Sequence, residues 1–590
     1  MARSLFIILT ACLAVAGASP DHVGDRTLEE ALQGECDASA AAVDEQCALS
    51  LRQLRGQQSS SALAPDQVLK LDGKTGMAFE GGGFRALNTF AGVVAGLLVA
   101  CGSGSPTLES SKLLDSISAF SSVSGGTWFF ASLAYSKDFA GVVESMAANP
   151  ADASSLWKKG WIDNLMKIGQ PTNRFIKLLN LIDRFDRQAE RESIFEMARE
   201  SGFFWTESDG NSWTGFIGGM LKASAGISED MALGQGDATW AKGKIWLLDH
   251  SILAASGQAP ASMWAGRGKV QYFLESSSGA LPAYVPAAFS TSLGGGETEP
   301  APMPFLAPGA LAAMDKLEFS QGRRDTSEAS LQSGEAKTKF EAAYADAPMF
   351  KVHEAVAASS AAGGAIVLSP HFSLLEHFLG GADFTPWMSS AGKGQAFKQG
   401  WELVSAQASP ASLAQAQVRG AIDGGYTDNT AIGHLVAGGA TEVISLLDIG
   451  SHNYSESLAM LFGGDSNSKG YTSNTYDSVP YVYYQIFAEP QDEIRKQLDA
   501  LPKLIHPGSK WLRHLSVGTI KATTVDNKWF GTQAGREVTI RVVAVSTTVW
   551  VDTLPEFEEY GLMVKEIIGA MSSEANAAII RQELLTPLGV

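Results

Sequence analysis

The stretch "GMAFEGGGFRALNTFAGVVAGLLVA", residues 76–100, constrains the fold most. A short apolar run flanked by glycine suits a buried strand, and the longer apolar run after it suits a helix. Three successive glycines between them are entropically costly, a cost usually met where the backbone must approach something closely. Gly92 and Gly96 fall four apart on one helix face, where small residues allow close packing.

A second strand–turn–helix unit follows in "LLDSISAFSSVSGGTWFFASLAY", residues 113–135. Two such units in succession predict an α/β fold with parallel strands. "TEVISLLDIG" at 441–450 and "EVTIRVVAVSTTVWV" at 537–551 return to strand character. Residues 150–265 read mainly helical, with an amphipathic stretch at 176–200, and the Pro/Gly-rich segment 281–310 reads as a long loop and lid candidate.

Three segments carry chemistry. Ser122-Val123-Ser124-Gly125-Gly126-Thr127-Trp128 resembles a nucleophile elbow, a strained turn that presents a serine at the mouth of a helix. Small residues two before and two after the serine let strand and helix pass closely. Gly81-Gly82-Gly83 ends the preceding strand, so a parallel sheet places both turns on one edge, and successive glycine N–H groups can line an oxyanion hole. Arg85 at the mouth of the next helix is suited to a phosphate or a carboxylate, or to an ion pair. In "RGAIDGGYTDNTAIGHLVAGGATEVISLLDIG", residues 419–450, Asp423 sits on a glycine turn where a carboxylate can deprotonate a serine, and Asp428 is the rival carboxylate.

The chain opens with "MARSLFIILTACLAVAGAS". Arg3, an apolar run of about 11 residues and Ala16-Gly17-Ala18 match a secretory signal peptide, with a retained anchor as the alternative. No other apolar run of 18 residues stands out. Cys36 and Cys47 can form a local disulfide only if the chain turns between them, because a straight helix holds them about 16 Å apart. Cys101 reads as a buried thiol and Asn453 as a glycosylation sequon. The net charge of −19 argues against nucleic acid and against electrostatic docking on anionic membranes. No CxxC or HExxH spacing supports a metal site, and nothing calls for a cofactor.

The blocks "GGGFRALNTFAGVVAGL", "SSVSGGTWFFASLAY" and "IDGGYTDNTAIGHLV", joined by "ADFTPWMSSAG" at 382–392, resemble the catalytic blocks of the group-IV cytosolic phospholipase A2 and fungal lysophospholipase (phospholipase B) family, relatives of patatin. The resemblance implies a three-layer α/β sandwich with a central, largely parallel sheet and a large inserted cap. After the signal peptide (1–18) and a polar arm (19–70), it implies a catalytic domain (71–590) with the cap at about 150–410. It implies a Ser124–Asp423 dyad without histidine, an oxyanion hole from Gly81, Gly82, Gly83 and Gly125, and a lipid phosphate at Arg85. The implied activity is hydrolysis of fatty-acyl esters of phospholipids or lysophospholipids at a transiently contacted membrane or micelle surface, in a secreted or lumenal, lysosome-like compartment. An acyltransferase, an esterase on other lipids and a catalytically weak storage or binding homologue remain alternatives. Two departures from the family pattern stand out: Glu80 precedes the glycines where a small Ser is usual, and Ser122 replaces Gly.

Overall fold

The structure is a computed structural model, and it describes residues 71–102, 106–167, 213–236, 238–253, 284–293, 304–305, 351–361, 387–388, 420–449, 455–463, 485–527, 530–548 and 557–590. The signal peptide, the arm, Cys36, Cys47, Asn453, the amphipathic stretch 176–200 and most of the 281–310 loop lie outside these residues.

The first strand, β1 (Thr75–Phe79), leads through the glycines into α1 (Gly83–Ala100). The chain returns in β2 (Ile117–Ser122), parallel to β1, and enters α2 (Ser124–Tyr135) and α3 (Lys137–Ala148). Ser136 starts α3 by accepting the Phe139 N–H at 3.0 Å, a standard N-cap. The central sheet gains β3 (Ile245–Leu253), parallel to β2, and β4 (Tyr284–Ser292) and β5 (Pro304–Phe305), both antiparallel to their neighbours. On the other side of β1 come β8 (Glu442–Ile449) and β12 (Glu537–Thr547), both parallel, and then β11 (Leu512–Thr523) at the edge. The order is β11-β12-β8-β1-β2-β3-β4-β5. The predicted α/β class with a largely parallel centre is therefore the observed one.

Two short strands complete the sheet: β6 (Trp387–Met388) pairs with β7 (Gly420–Asp423), which is antiparallel to β3. A small separate pair joins β9 (Phe462–Gly463) and β10 (Phe487–Pro490). The stretch expected as a cap thus supplies sheet: β3, β4, β5 and β6 all fall within 150–410. Tyr284–Ser292 is likewise a strand rather than a lid loop. Its pairing with β3 runs through nine residue pairs, which fixes an extended backbone despite its Pro and Ala content.

Side-chain alternation separates the two faces of the sheet. On one face, Phe79 and Phe120 meet Phe90 of α1 and Phe129 and Phe130 of α2, with Trp246 of β3 beside Phe130. All six rings are fully buried, and each such burial contributes about 1.5–3 kcal/mol. On the other face, Gly76 lies against Leu435 of a short helix, Gly433–Ala437, so helices cover both sides of β1.

Helix α1 is 18 residues long and apolar enough by composition to cross a membrane, which corrects the expectation that no such run follows the signal peptide. Its surroundings mark it as a core helix. Residues from Phe84 to Leu98 are buried apart from Arg85. Gly92 and Gly96 face Ile567 and Met571 of a C-terminal helix, Phe557–Ser572, closely enough that a side chain at Gly96 would collide with Met571. The close helix packing expected from their spacing is present. Cys101, at the end of α1, is half-buried and a free thiol, and burial pushes its pKa up to about 11.

Candidate active site

Sheet register brings the catalytic segments together. Phe79 pairs with Ser122, so β1 and β2 end side by side and their following turns share one edge. β2 occupies β3 from Ile245 to Leu248, and β7 continues along the same strand from His250 to Leu253. Because β7 is antiparallel, its last residue, Asp423, pairs with His250, two residues beyond the Ser122–Leu248 pair. Two strands therefore point their C-terminal ends at each other, and Ser124 and Asp423 meet there.

Ser124 begins α2 with φ 51°, a left-handed conformation that is strained for a residue with a Cβ. This is the backbone expected of a nucleophile elbow. Its side chain lies beside the Asp423 carboxylate, close enough to hold down the carboxyl's pKa. Asp423 is 5% exposed and accepts the Gly425 N–H at 2.8 Å. Burial raises its pKa to about 6, with the Gly425 N–H and then the Ser124 side chain opposing the rise. The carboxylate is thus ionised at neutral pH yet basic enough to take a proton.

The glycine loop folds over this pair. Gly82 has φ 147°, outside the range other residues hold without strain, and a Cβ there would come within 2.6 Å of Asp448 Oδ2. A side chain at Gly125 would run into the backbone of Gly83, so the loop rests directly on the first turn of α2. Gly83 and Gly125 stand in the first turns of α1 and α2, and Gly82 caps α1; no intrahelical carbonyl reaches their N–H groups. Gly81 differs, because its N–H donates to Asn429 O at 2.9 Å. Of the four glycines expected at the oxyanion hole, Gly81 therefore spends its N–H on anchoring the loop.

Arg85 is held by Asp448 at the end of β8. Its Nε donates to Asp448 Oδ2 at 2.7 Å and an Nη to the Asp448 carbonyl at 3.3 Å. Thr89 also reaches Asp448, at 3.4 Å. The guanidinium keeps 15% side-chain exposure, whereas the Asp448 side chain has none. Arg85 therefore ties the glycine loop to β8, a bond that sequence reasoning set only among the options for this residue.

The two departures from the family pattern have local explanations. Glu80 is buried, and its carboxyl accepts the Asp448 N–H at 2.6 Å and faces Asn429 and Ser457. Burial, followed by the neighbouring Asp448 charge, pushes its pKa up to about 8. It is neutral at pH 7 and brings no negative charge to the oxyanion side. A carboxyl raised from the ordinary 4.5 to about 8 binds its proton more tightly when folded, so stability falls as pH rises between those values. Glu80→Gln should raise the melting temperature more at pH 8 than at pH 5; an equal change at both would show that Glu80 ionises freely. Ser122 in turn uses its hydroxyl, accepting the Trp246 Nε1–H at 2.9 Å and a bond from Thr127 at 3.0 Å.

Asp428, the rival carboxylate, is committed elsewhere. It accepts Thr430 N–H, Thr430 hydroxyl and Gly433 N–H at 2.8, 2.6 and 2.7 Å, capping the Gly433–Ala437 helix. His434 lies buried on the far face of the sheet with its Nδ1 3.1 Å from Asp249 Oδ2, and Ser121 donates to the other oxygen of Asp249 at 2.8 Å. His371 and His377 fall outside the described residues. Sequence reasoning missed Asp448, Asn429 and Ser359. For Asp448 a signal existed: an acid at the C-terminal end of an apolar strand, on the edge where the glycine loop also ends.

A serine on a strained strand-to-helix turn thus lies beside a buried carboxylate and beneath a glycine loop. Residues 75–184, which carry the loop and the serine, match the model of the lysophospholipase catalytic domain family. This segment is similar to that family, and the match marks the chain as a phospholipase-type ester hydrolase. Among solved structures, human GIVD cytosolic phospholipase A2 is similar at 13% identity and a TM-score of 0.33, over 93% of this chain and 67% of that one. No curated protein matches the chain.

Proposed function

We propose that the chain hydrolyses fatty-acyl esters of glycerophospholipids or lysophospholipids through Ser124 and Asp423. The observation that carries this is Ser124 on its positive-φ turn, brought by sheet register beside the buried Asp423 carboxylate, whose pKa lies near 6. Asp423 takes the Ser124 proton as Oγ attacks the ester carbonyl. The N–H groups of Gly82, Gly83 and Gly125 stabilise the oxyanion, helped by the positive end of α2. The glyceryl oxygen leaves with the proton from Asp423, and an acyl-serine remains. Water then gives its proton to Asp423 and attacks the acyl carbon, and the departing Ser124 oxygen recovers that proton. No histidine and no metal enters these steps. Residues 1–18 route the chain into the secretory pathway, and it meets lipid surfaces transiently through apolar contact.

The substrate class is tested at Arg85. In this proposal the guanidinium, fixed by Asp448 beside the loop, also meets the lipid phosphate. A charge-assisted hydrogen bond of this kind contributes about 1.5–3 kcal/mol, and lysine keeps the charge but loses the planar fork. Arg85→Lys should lower fatty-acid release from phosphatidylcholine and lysophosphatidylcholine by about 10- to 100-fold while a neutral short-chain ester is cleaved at nearly the wild-type rate. Equal losses on both would leave the tie to Asp448 as Arg85's whole contribution and remove the phosphate contact from the proposal. Wild-type protein that releases no fatty acid from either lipid would overturn the substrate class itself.

A further inference from the structure

One helix outside the recognised motifs touches both halves of the dyad. It spans Val352–Ser359 and packs against α2, β3 and β7. At its C-terminal end, Ser359 is fully buried. The Ser359 Oγ accepts the Ser124 backbone N–H at 3.3 Å, lies 2.8 Å from Thr127 Oγ1, and donates to the Asp249 carbonyl at 2.6 Å. Two residues on, the Ala361 carbonyl accepts the Asp423 N–H at 3.4 Å. The Asp249 carbonyl is itself packed against Gly424, the neighbour of Asp423. A single short segment thus fastens the backbone of the nucleophile, the first turn of its helix, and the backbone of the base.

The bond to Ser124 N–H matters because of where that group lies. It is the first orphan donor of α2, on a residue held in a strained conformation. A strained turn persists only when its surroundings over-determine it. Val123 N–H, bonded to Phe79 O, fixes the turn from the strand side, and Ser359 fixes it from the other. We infer that Ser359 is a positioning residue, setting the distance between Ser124 and Asp423 through one buried hydroxyl. The inference rests on the proposed dyad. It also assigns part of the active-site frame to a segment that the sequence places in the cap.

The test removes that oxygen. Ser359→Ala and Ser359→Thr are compared with wild type by steady-state hydrolysis of a neutral short-chain ester. The rate of fluorophosphonate labelling, the location of the adduct by peptide mass spectrometry and the melting temperature are also measured. Displacing a reacting group by a fraction of an ångström can cost one to two orders of magnitude. Ser359→Ala should therefore lower kcat and the labelling rate together by about 10- to 100-fold with KM unchanged, assayed well below its melting transition. Ser359→Thr, which keeps the oxygen, should recover most of that loss. A folded Ser359→Ala protein that labels at Ser124 at the wild-type rate overturns the inference and leaves the dyad standing. A Ser359→Ala protein that does not fold makes the residue a folding element and overturns it too. An adduct on a different serine in wild type overturns the dyad, and the inference with it.

Discussion

Ser124→Ala should lower ester hydrolysis by at least about 10³-fold and abolish fluorophosphonate labelling, with the melting temperature unchanged or raised. The expected size follows from the proposed chemistry. Without the hydroxyl no acyl-enzyme can form, and the glycine-loop amides would stabilise only a direct attack by water. The change itself is small: one oxygen is removed from a residue whose neighbours on the loop are glycines. The strain at φ 51° remains, since alanine also carries a Cβ. Retention of more than about 1% of wild-type activity would transfer the nucleophile to another serine. Loss of activity with collapse of the fold would make the result a matter of stability, so the melt belongs to the measurement.

Asp423→Asn should cost about 10²- to 10⁴-fold, the usual contribution of a positioned general base. Two further readouts separate catalysis from structure. In wild type, kcat/KM should rise with pH along a limb centred near 6, because the base acts only when ionised and burial holds its pKa at about 6. The limb should vanish in the residual activity of the variant. Stability should move the opposite way. A carboxyl raised from 3.8 to about 6 makes the folded state less favourable as pH climbs through that window, and the deficit is fully present at pH 7. Asn escapes it, so Asp423→Asn should melt at the same temperature or higher at pH 7. A variant that loses both activity and stability would show Asp423 to be a structural cap. The outcome for Asp428→Asn should be the reverse. Its carboxylate holds three donors at the start of the Gly433–Ala437 helix, so its loss belongs to stability rather than to the reacting centre.

The parts of this site legible in the sequence were those written in local chemistry. Successive glycines after an apolar run mark a close backbone approach, and the structure puts Gly125 against Gly83 there. A small-x-Ser-x-small turn before an aromatic helix marks an elbow, and Ser124 has the expected positive φ. Asp423 on a glycine turn was recognisable for the same reason. What did not show was the part of the sheet beyond the first two strand–helix units and the strands at 441–450 and 537–551. β3 and β4 sit in a stretch whose composition suggested helices and loop, and only their long register with β2 and with each other makes them strands. Ser359 carries no local signal at all: a serine at the end of an Ala-rich helix gains meaning only when Ser124, Thr127 and Asp249 surround it. Glu80 misled in the other direction. In the sequence it stood out as a departure from the family pattern beside the glycines, but burial keeps it neutral at pH 7 and its carboxyl accepts the Asp448 N–H.

The measurement that bears most directly on the central claim is the location of a covalent adduct. Wild-type protein treated with a fluorophosphonate at pH 7.5 and digested should carry one modified peptide, containing Ser124. The rate of its formation should fall as pH drops through about 6, in step with protonation of Asp423. An adduct on any other serine, or labelling of Ser124 at a rate indifferent to pH between 5 and 7.5, would contradict a Ser124 nucleophile activated by Asp423.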